Sequence, residues 1–129
     1  MRDAKGRRAL TDRARIGQAA EQVVAEWLER RGYQIVARNL RIGRLELDVV
    51  ARRGGLIAVV EVRARGPASW TSGFASLDRA KRRRIRRAGE RLWQRRYRQD
   101  PTVSRLRFDA ASVTFREHGA DVEYAPGAF

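Results

Sequence analysis

The stretch from Gly43 to Arg65, G-R-L-E-L-D-V-V-A-R-R-G-G-L-I-A-V-V-E-V-R-A-R, constrains the fold more than any other part of the chain. The β-branched density at Val49-Val50 and from Ile57 to Val62 favours strand over helix. Between the two apolar runs, Gly54-Gly55 tolerates the positive φ of a tight hairpin. Two paired strands are therefore expected. Strand side chains alternate between faces, which puts Glu46, Asp48 and Val50 on one face and Leu47 and Val49 on the other. The same count on the partner strand groups Val59, Glu61 and Arg63 opposite Val60 and Val62. Three carboxylates and one cation thus interrupt a hairpin that otherwise reads as core. Carboxylates in a buried sheet must be paired or must hold a metal.

The rest of the composition narrows which metal. The chain has no Cys, which excludes disulfides and Cys-ligated zinc, and its single His, His118, leaves no His-based metal cluster and no Ser-His-Asp triad to propose. A metal here would have hard oxygen ligands, which points to Mg²⁺ or Mn²⁺. At 129 residues the chain is expected to form one domain with a real core. No apolar run approaches the ~20 residues of a membrane span, and the Arg-rich start does not read as a signal peptide. A cytoplasmic address is the expectation.

The net charge of +14 is concentrated in two windows. Residues 1–15 carry six basic and two acidic side chains, and residues 79–98 carry eleven basic and one acidic. The rest of the chain is neutral. Charge so localised is the footprint of a polyanion binder, with nucleic acid the first candidate. A solvated helix face is the bland reading. The second window is too cationic to neutralise itself, which favours nucleic acid.

In chain order, residues 1–15 lack apolar periodicity and read as a flexible basic arm. Ile16, Ala19, Ala20, Val23, Val24, Trp27 and Leu28 then recur at helical spacing, and Gly32 stops the helix. Glu21 lies at the edge of that stripe, either as an ordinary boundary carboxylate or leaning over the sheet. Tyr33 to Arg38 reads as a first strand and Asn39 to Arg44 as its turn. After the hairpin, Gly66 to Phe74 is loop by composition, a rim over any site near Glu61. A second helix is expected from near Ser76, the suggested N-cap, with Leu77, Ala80, Ile85, Ala88, Leu92 and Trp93 on its buried side. Arg82, Arg83, Arg86 and Arg87 cover the rest of its surface. Arg105 to Phe115 alternates as a strand, with Val122 to Tyr124 as a short addition, and the domain is bounded at residues 16–125. The tail at 126–129 reads as loose.

The order is helix, three strands, helix, strand, with acids on the second and third strands. The pattern E-L-D followed by E-V-R resembles the PD-(D/E)xK nuclease superfamily. More closely, the chain resembles the YraN family of endonuclease-like bacterial proteins, related to archaeal Holliday-junction resolvases. The matching pieces are Gly17 with Glu21, Gly32-Tyr33, Asn39, Glu46-Leu47-Asp48, Val60-Glu61-Val62-Arg63-x-Arg65, Lys81 and Arg107-Phe108-Asp109, spanning residues 17–109. The resemblance implies an α/β fold with a restriction-endonuclease-like αβββαβ core, a central mixed sheet flanked by helices. It also implies a Mg²⁺- or Mn²⁺-dependent endodeoxyribonuclease acting on branched or flapped DNA. Asp48, Glu61 and Glu21 would be the metal carboxylates, with Arg63 and Lys81 completing the catalytic set. Arg65, Arg82, Arg83, Arg86 and Arg87 are expected on nucleic acid. Because junction resolvases act as dimers, a homodimer is a further expectation.

One position departs from the superfamily: residue 63 is Arg where Lys is usual. Arg can neutralise charge and clamp phosphate, but it cannot act as a base near neutral pH. Lys81, one of only two Lys beside 27 Arg, could substitute from the second helix. Three readings follow: a structure-selective nuclease, a nucleic-acid-binding module with weak or lost catalysis on the same fold, and an interaction protein built on structural ion pairs. The carboxylate constellation favours the first over the third, and Arg63 moves weight to the second.

Overall fold

The computed structural model describes residues 4–65 and 78–129, with side chains from Arg13 onward. Helix α1 (Ala4–Arg30) leads into strands β1 (Gln34–Ile42), β2 (Leu45–Arg53) and β3 (Leu56–Arg65). Helix α2 (Arg79–Leu92) follows, then a five-residue π-helical turn at Trp93–Tyr97, and strands β4 (Arg105–Arg116) and β5 (Gly119–Ala125). The five strands form one sheet in the order β1-β2-β3-β4-β5. Only β3 and β4 run parallel, joined by the α2 crossover that a parallel pair requires. The mixed sheet between helices is consistent with a restriction-endonuclease-like core.

Each face of the sheet carries its own core. Ala20, Val24 and Leu28 of α1 pack with Val49, Ala51, Ala58, Val60, Ala111 and Val113. Ile85, Ala88 and Leu92 of α2 pack on the other face with Leu47, Val50, Ile57, Val59 and Ala110. Helix α2 comes close enough to the sheet that a Cβ at Gly89 would stand 2.5 Å from the Phe108 ring.

Several boundaries differ from the sequence expectation. Helix α1 begins at Ala4, so the basic segment read as an arm is continuous with it. Ile16 and Ala19 are exposed, and the buried stripe starts at Ala20. Strand β1 continues through Asn39 to Ile42 instead of turning there, because Asn39 adopts φ +51 within the strand, a conformation Asn tolerates better than most residues. That distortion lies level with Asp48 in the β1–β2 register. On β2 the expected alternation breaks: Leu47 and Val50 face α2 together, while Val49 faces α1. On α2 the N-cap is Asp78, whose carboxylate accepts the Lys81 backbone N–H at 2.8 Å. Ala80 is exposed. Leu77 and the loop at 66–74 lie outside the described residues.

The C-terminal tail is not loose. Ala128 N–H donates to Phe108 O at 2.8 Å, Gly127 N–H donates to Asp109 Oδ1 at 2.9 Å, and the Phe129 ring packs 5.6 Å from that of Phe108. Two apolar side chains and a buried acceptor outweigh the Pro-Gly composition that suggested a mobile end.

Candidate active site

Asp48 and Glu61 meet where the β2–β3 ladder ends. Its register stops at Val49–Val60, and just beyond it the Val62 N–H donates to Asp48 Oδ2 at 2.9 Å. Burial, reinforced by the neighbouring Glu61 carboxylate, pushes Asp48 up to about 8, although the Val62 N–H opposes the shift. Glu61 is only 5 % exposed. Its Oε1 accepts Lys81 Nζ at 2.9 Å, and Lys81 reaches it from the first turn of α2, held there by the Asp78 cap. The site thus combines one buried acid, Glu61, and one half-buried acid, Asp48, with one ammonium.

Arg63 lies two residues past Glu61 on the same face of β3, half-buried. Its Nε has no hydrogen-bond partner among the described residues, so the cation on Glu61 is Lys81. Glu21 is buried on α1, facing Arg38 Nη2 at 3.8 Å. Burial raises its pKa, while the Asn39 side chain and Arg38 oppose the rise. Its Oε2 has no hydrogen-bond partner among the described residues. Glu46 is exposed at the strand entrance. Arg65 and Arg82 are half-buried, and Arg83, Arg86 and Arg87 are exposed along α2.

Do these residues fit a divalent ion? Burial, and after it the carboxylate of Glu61, favours the protonated form of Asp48, and a cation would relieve the repulsion between the two acids. The donors are hard oxygens, and Mg²⁺ accepts one or two protein carboxylates with the remaining positions filled by water and phosphate. Among the described residues no group of three or more acidic or His side chains is close enough to hold one ion. The pair that fits is therefore Asp48 with Glu61, and Glu21, beside Arg38, is close enough for its charge to be felt by both.

A second charged cluster lies deeper. Asp109 is wholly buried. It accepts Arg107 Nε at 2.7 Å and Nη2 at 2.8 Å, the Tyr124 hydroxyl and the Gly127 N–H. Arg107 also donates to the Tyr33 hydroxyl at 3.0 Å. Sequence reasoning noticed Arg107-Phe108-Asp109 only as part of a resemblance and gave it no role. The i, i+2 spacing of opposite charges on one strand face was the available signal.

Among the described residues, no helix is long and apolar enough to cross a membrane. The sequence model of the uncharacterised protein family UPF0102 matches residues 20–113. A UPF0102 protein of Sorangium cellulosum is 50 % identical over 125 residues, covering 96 % of this chain and 87 % of the relative. A UPF0102 protein of Myxococcus xanthus is 37 % identical over 123 residues, 95 % of each chain. One from Syntrophotalea carbinolica is 37 % identical over 119 residues, covering 91 % of this chain and 93 % of the relative. With a family match across the central strands and relatives aligned nearly end to end, this chain belongs to the UPF0102 family, the YraN family.

Proposed function

We propose that the chain is a metal-dependent nuclease that hydrolyses phosphodiester bonds in branched or flapped DNA. The observation that carries this reading is the contact of Lys81 Nζ with Glu61 Oε1 at 2.9 Å, beside Asp48. It puts a lysine amine against the acidic pair although the strand position itself is Arg63. Asp48 and Glu61 would hold Mg²⁺ or Mn²⁺, which when bound lowers the pKa of water and offsets charge building on the phosphate. Lys81 orients the attacking water and holds a proton near it. Arg63 neutralises phosphate charge as a fixed cation. Glu21, with a free buried oxygen, positions Arg38 and the edge of the site. Arg65, Arg82, Arg83, Arg86 and Arg87 supply backbone contacts that carry no sequence information, so recognition is by shape.

The test is cleavage of a panel of branched, flapped and linear DNAs with Mg²⁺ or Mn²⁺. Metal-dependent cutting by the wild type, abolished in Asp48→Asn and Lys81→Met, supports the reading. If no substrate is cut across metals and pH while DNA is still bound, the chain is instead a binding module on the same fold.

A further inference from the structure

The α1 face carries a second concave site, separate from the acidic pair. It is a groove of about 300 Å³ lined by Trp27, Arg31, Tyr33, Arg53, Arg107 and Tyr124. Trp27 lies six residues beyond Glu21 on α1, about 9 Å of helix rise away. Lys81 is on the opposite helix.

The charge here does not balance. Asp109 neutralises Arg107 through two hydrogen bonds. Among the described residues the hydrogen bonds of the Arg31 and Arg53 side chains go to carbonyls, Trp27 O at 3.2 Å and Arg31 O at 3.5 Å. Among the described residues neither forms an ion pair with a carboxylate. Two guanidinium charges therefore stand uncompensated in one groove. Both are exposed.

The aromatic rings are arranged as a platform. Trp27 and Tyr124 stack at 4.6 Å with an interplanar angle of 19°, and the Arg31 guanidinium lies 3.5 Å over the indole. Arg53 lies 4.4 Å over Tyr33. The rings cannot easily turn away, because the Tyr33 and Tyr124 hydroxyls are bonded to Arg107 and Asp109 beneath them. Planar cationic and aromatic surfaces fixed beside uncompensated charge match a ligand that is itself flat at one end and anionic at the other. An unpaired nucleotide has that chemistry. Bases inside a duplex are already stacked and present only phosphates.

We infer that this groove binds one unpaired nucleotide of a nucleic-acid strand, its base on the Arg31–Trp27–Tyr124 stack and its phosphate between Arg31 and Arg53. Binding here is independent of hydrolysis at Asp48 and Glu61, so it can hold for a nuclease or for a binding module.

The experiment uses the full chain and two probes, a short oligothymidylate and a duplex of the same length, with inorganic phosphate as a third arm. Binding is followed through the Trp27 indole N–H resonance, assigned with Trp27→Phe. In the wild type, the oligothymidylate should shift that resonance, and the duplex and phosphate should not. Arg31→Gln/Arg53→Gln should weaken single-strand binding about 10-fold and duplex binding far less, with melting unchanged. An indole resonance that the oligothymidylate does not move in the wild type overturns the proposal, whatever the variants do. So does an equal shift from phosphate alone, which would make the groove a simple anion site. Equal weakening on single strand and duplex in the double variant would also overturn it. Failure to cut DNA, by contrast, touches only the nuclease reading.

Discussion

Lys81 Nζ sits 2.9 Å from Glu61 Oε1, so the cation at the middle of the sheet is delivered by α2 and not by Arg63 on the strand itself. Glu61 is almost fully shielded, while Lys81 is 32 % exposed. Lys81→Met should therefore destabilise the fold by about 1–2 kcal/mol, less than a fully buried pair because water screens the lysine. Thermal melting at neutral pH checks this. An unchanged melting temperature would mean that the pair contributes nothing to stability. Under the nuclease reading, Arg63→Lys should raise metal-dependent cleavage if position 63 alone limits catalysis, and should change little if the wild type already cuts; Arg63→Lys with Asp48→Asn stays inactive either way.

Asp48 makes stability depend on pH in a defined direction. Unfolded, it ionises near 3.8, but in the fold it keeps its proton to about 8. Between those values the native state binds more protons, so the metal-free protein should lose stability as pH rises from about 4 to 8 and then level off. Asp48→Asn can still accept the Val62 N–H and has no charge to desolvate. At pH 8 the variant should be more stable than wild type by about 1–3 kcal/mol, the full span being shared with Glu61. Denaturant titrations at pH 5 and 8 read the difference. Mn²⁺ should raise the wild-type melting temperature at pH 8 and leave Asp48→Asn unmoved.

The Asp109–Arg107 pair is a stability element. Asp109→Ala leaves the Arg107 guanidinium, only 19 % exposed, without its carboxylate and the Gly127 N–H without its acceptor. A cost of about 3–5 kcal/mol is expected, together with release of the tail that Gly127 anchors. Urea unfolding and proteolysis at the C-terminus would report the two effects. A variant with wild-type midpoint and a protected tail would contradict it.

Gly89 has no Cβ because Phe108 occupies the space. Gly89→Ala improves helix propensity by about 1 kcal/mol but forces the Phe108 ring, packed by Phe129 and Arg86, to move. Overpacking should win, for a net destabilisation of about 1–2 kcal/mol measured by chemical denaturation.

If α2 faces nucleic acid, the logarithm of affinity should fall steeply with the logarithm of salt concentration. Replacing Arg82, Arg83 and Arg86 with Gln should flatten that slope by about 0.9 for each phosphate that the helix no longer neutralises. An unchanged slope removes this helix from the interface.

Much of the fold was legible because it follows from local rules. The Gly54-Gly55 turn, the β-branched runs and the 3.6-residue stripe at Ala20, Val24 and Leu28 each act within a few residues. What was not legible depends on partners far apart in sequence. Asn39 takes a positive φ inside β1, and Leu47 faces α2 together with Val50, neither of which strict alternation can anticipate. The docking of Phe129 requires Phe108, and the Lys81–Glu61 contact requires the α2 crossover. Among the expected site residues, Lys81 pairs with Glu61 beside Asp48, and Glu21, facing Arg38, adds its charge to both acids.

The parallel β3–β4 ladder has a kinetic consequence. Strands β1 to β3 pair with their neighbours across short turns, but Leu56 meets Arg105 only after about fifty intervening positions have been looped back. The hairpins can therefore form early and locally, while closure through α2 is the slow, high-contact-order step. Until that step, Asp48 and Glu61 can be neighbours without an ammonium between α2 and the sheet. Under the nuclease reading, a chain in which α2 has not yet docked would hold its acid pair without the lysine.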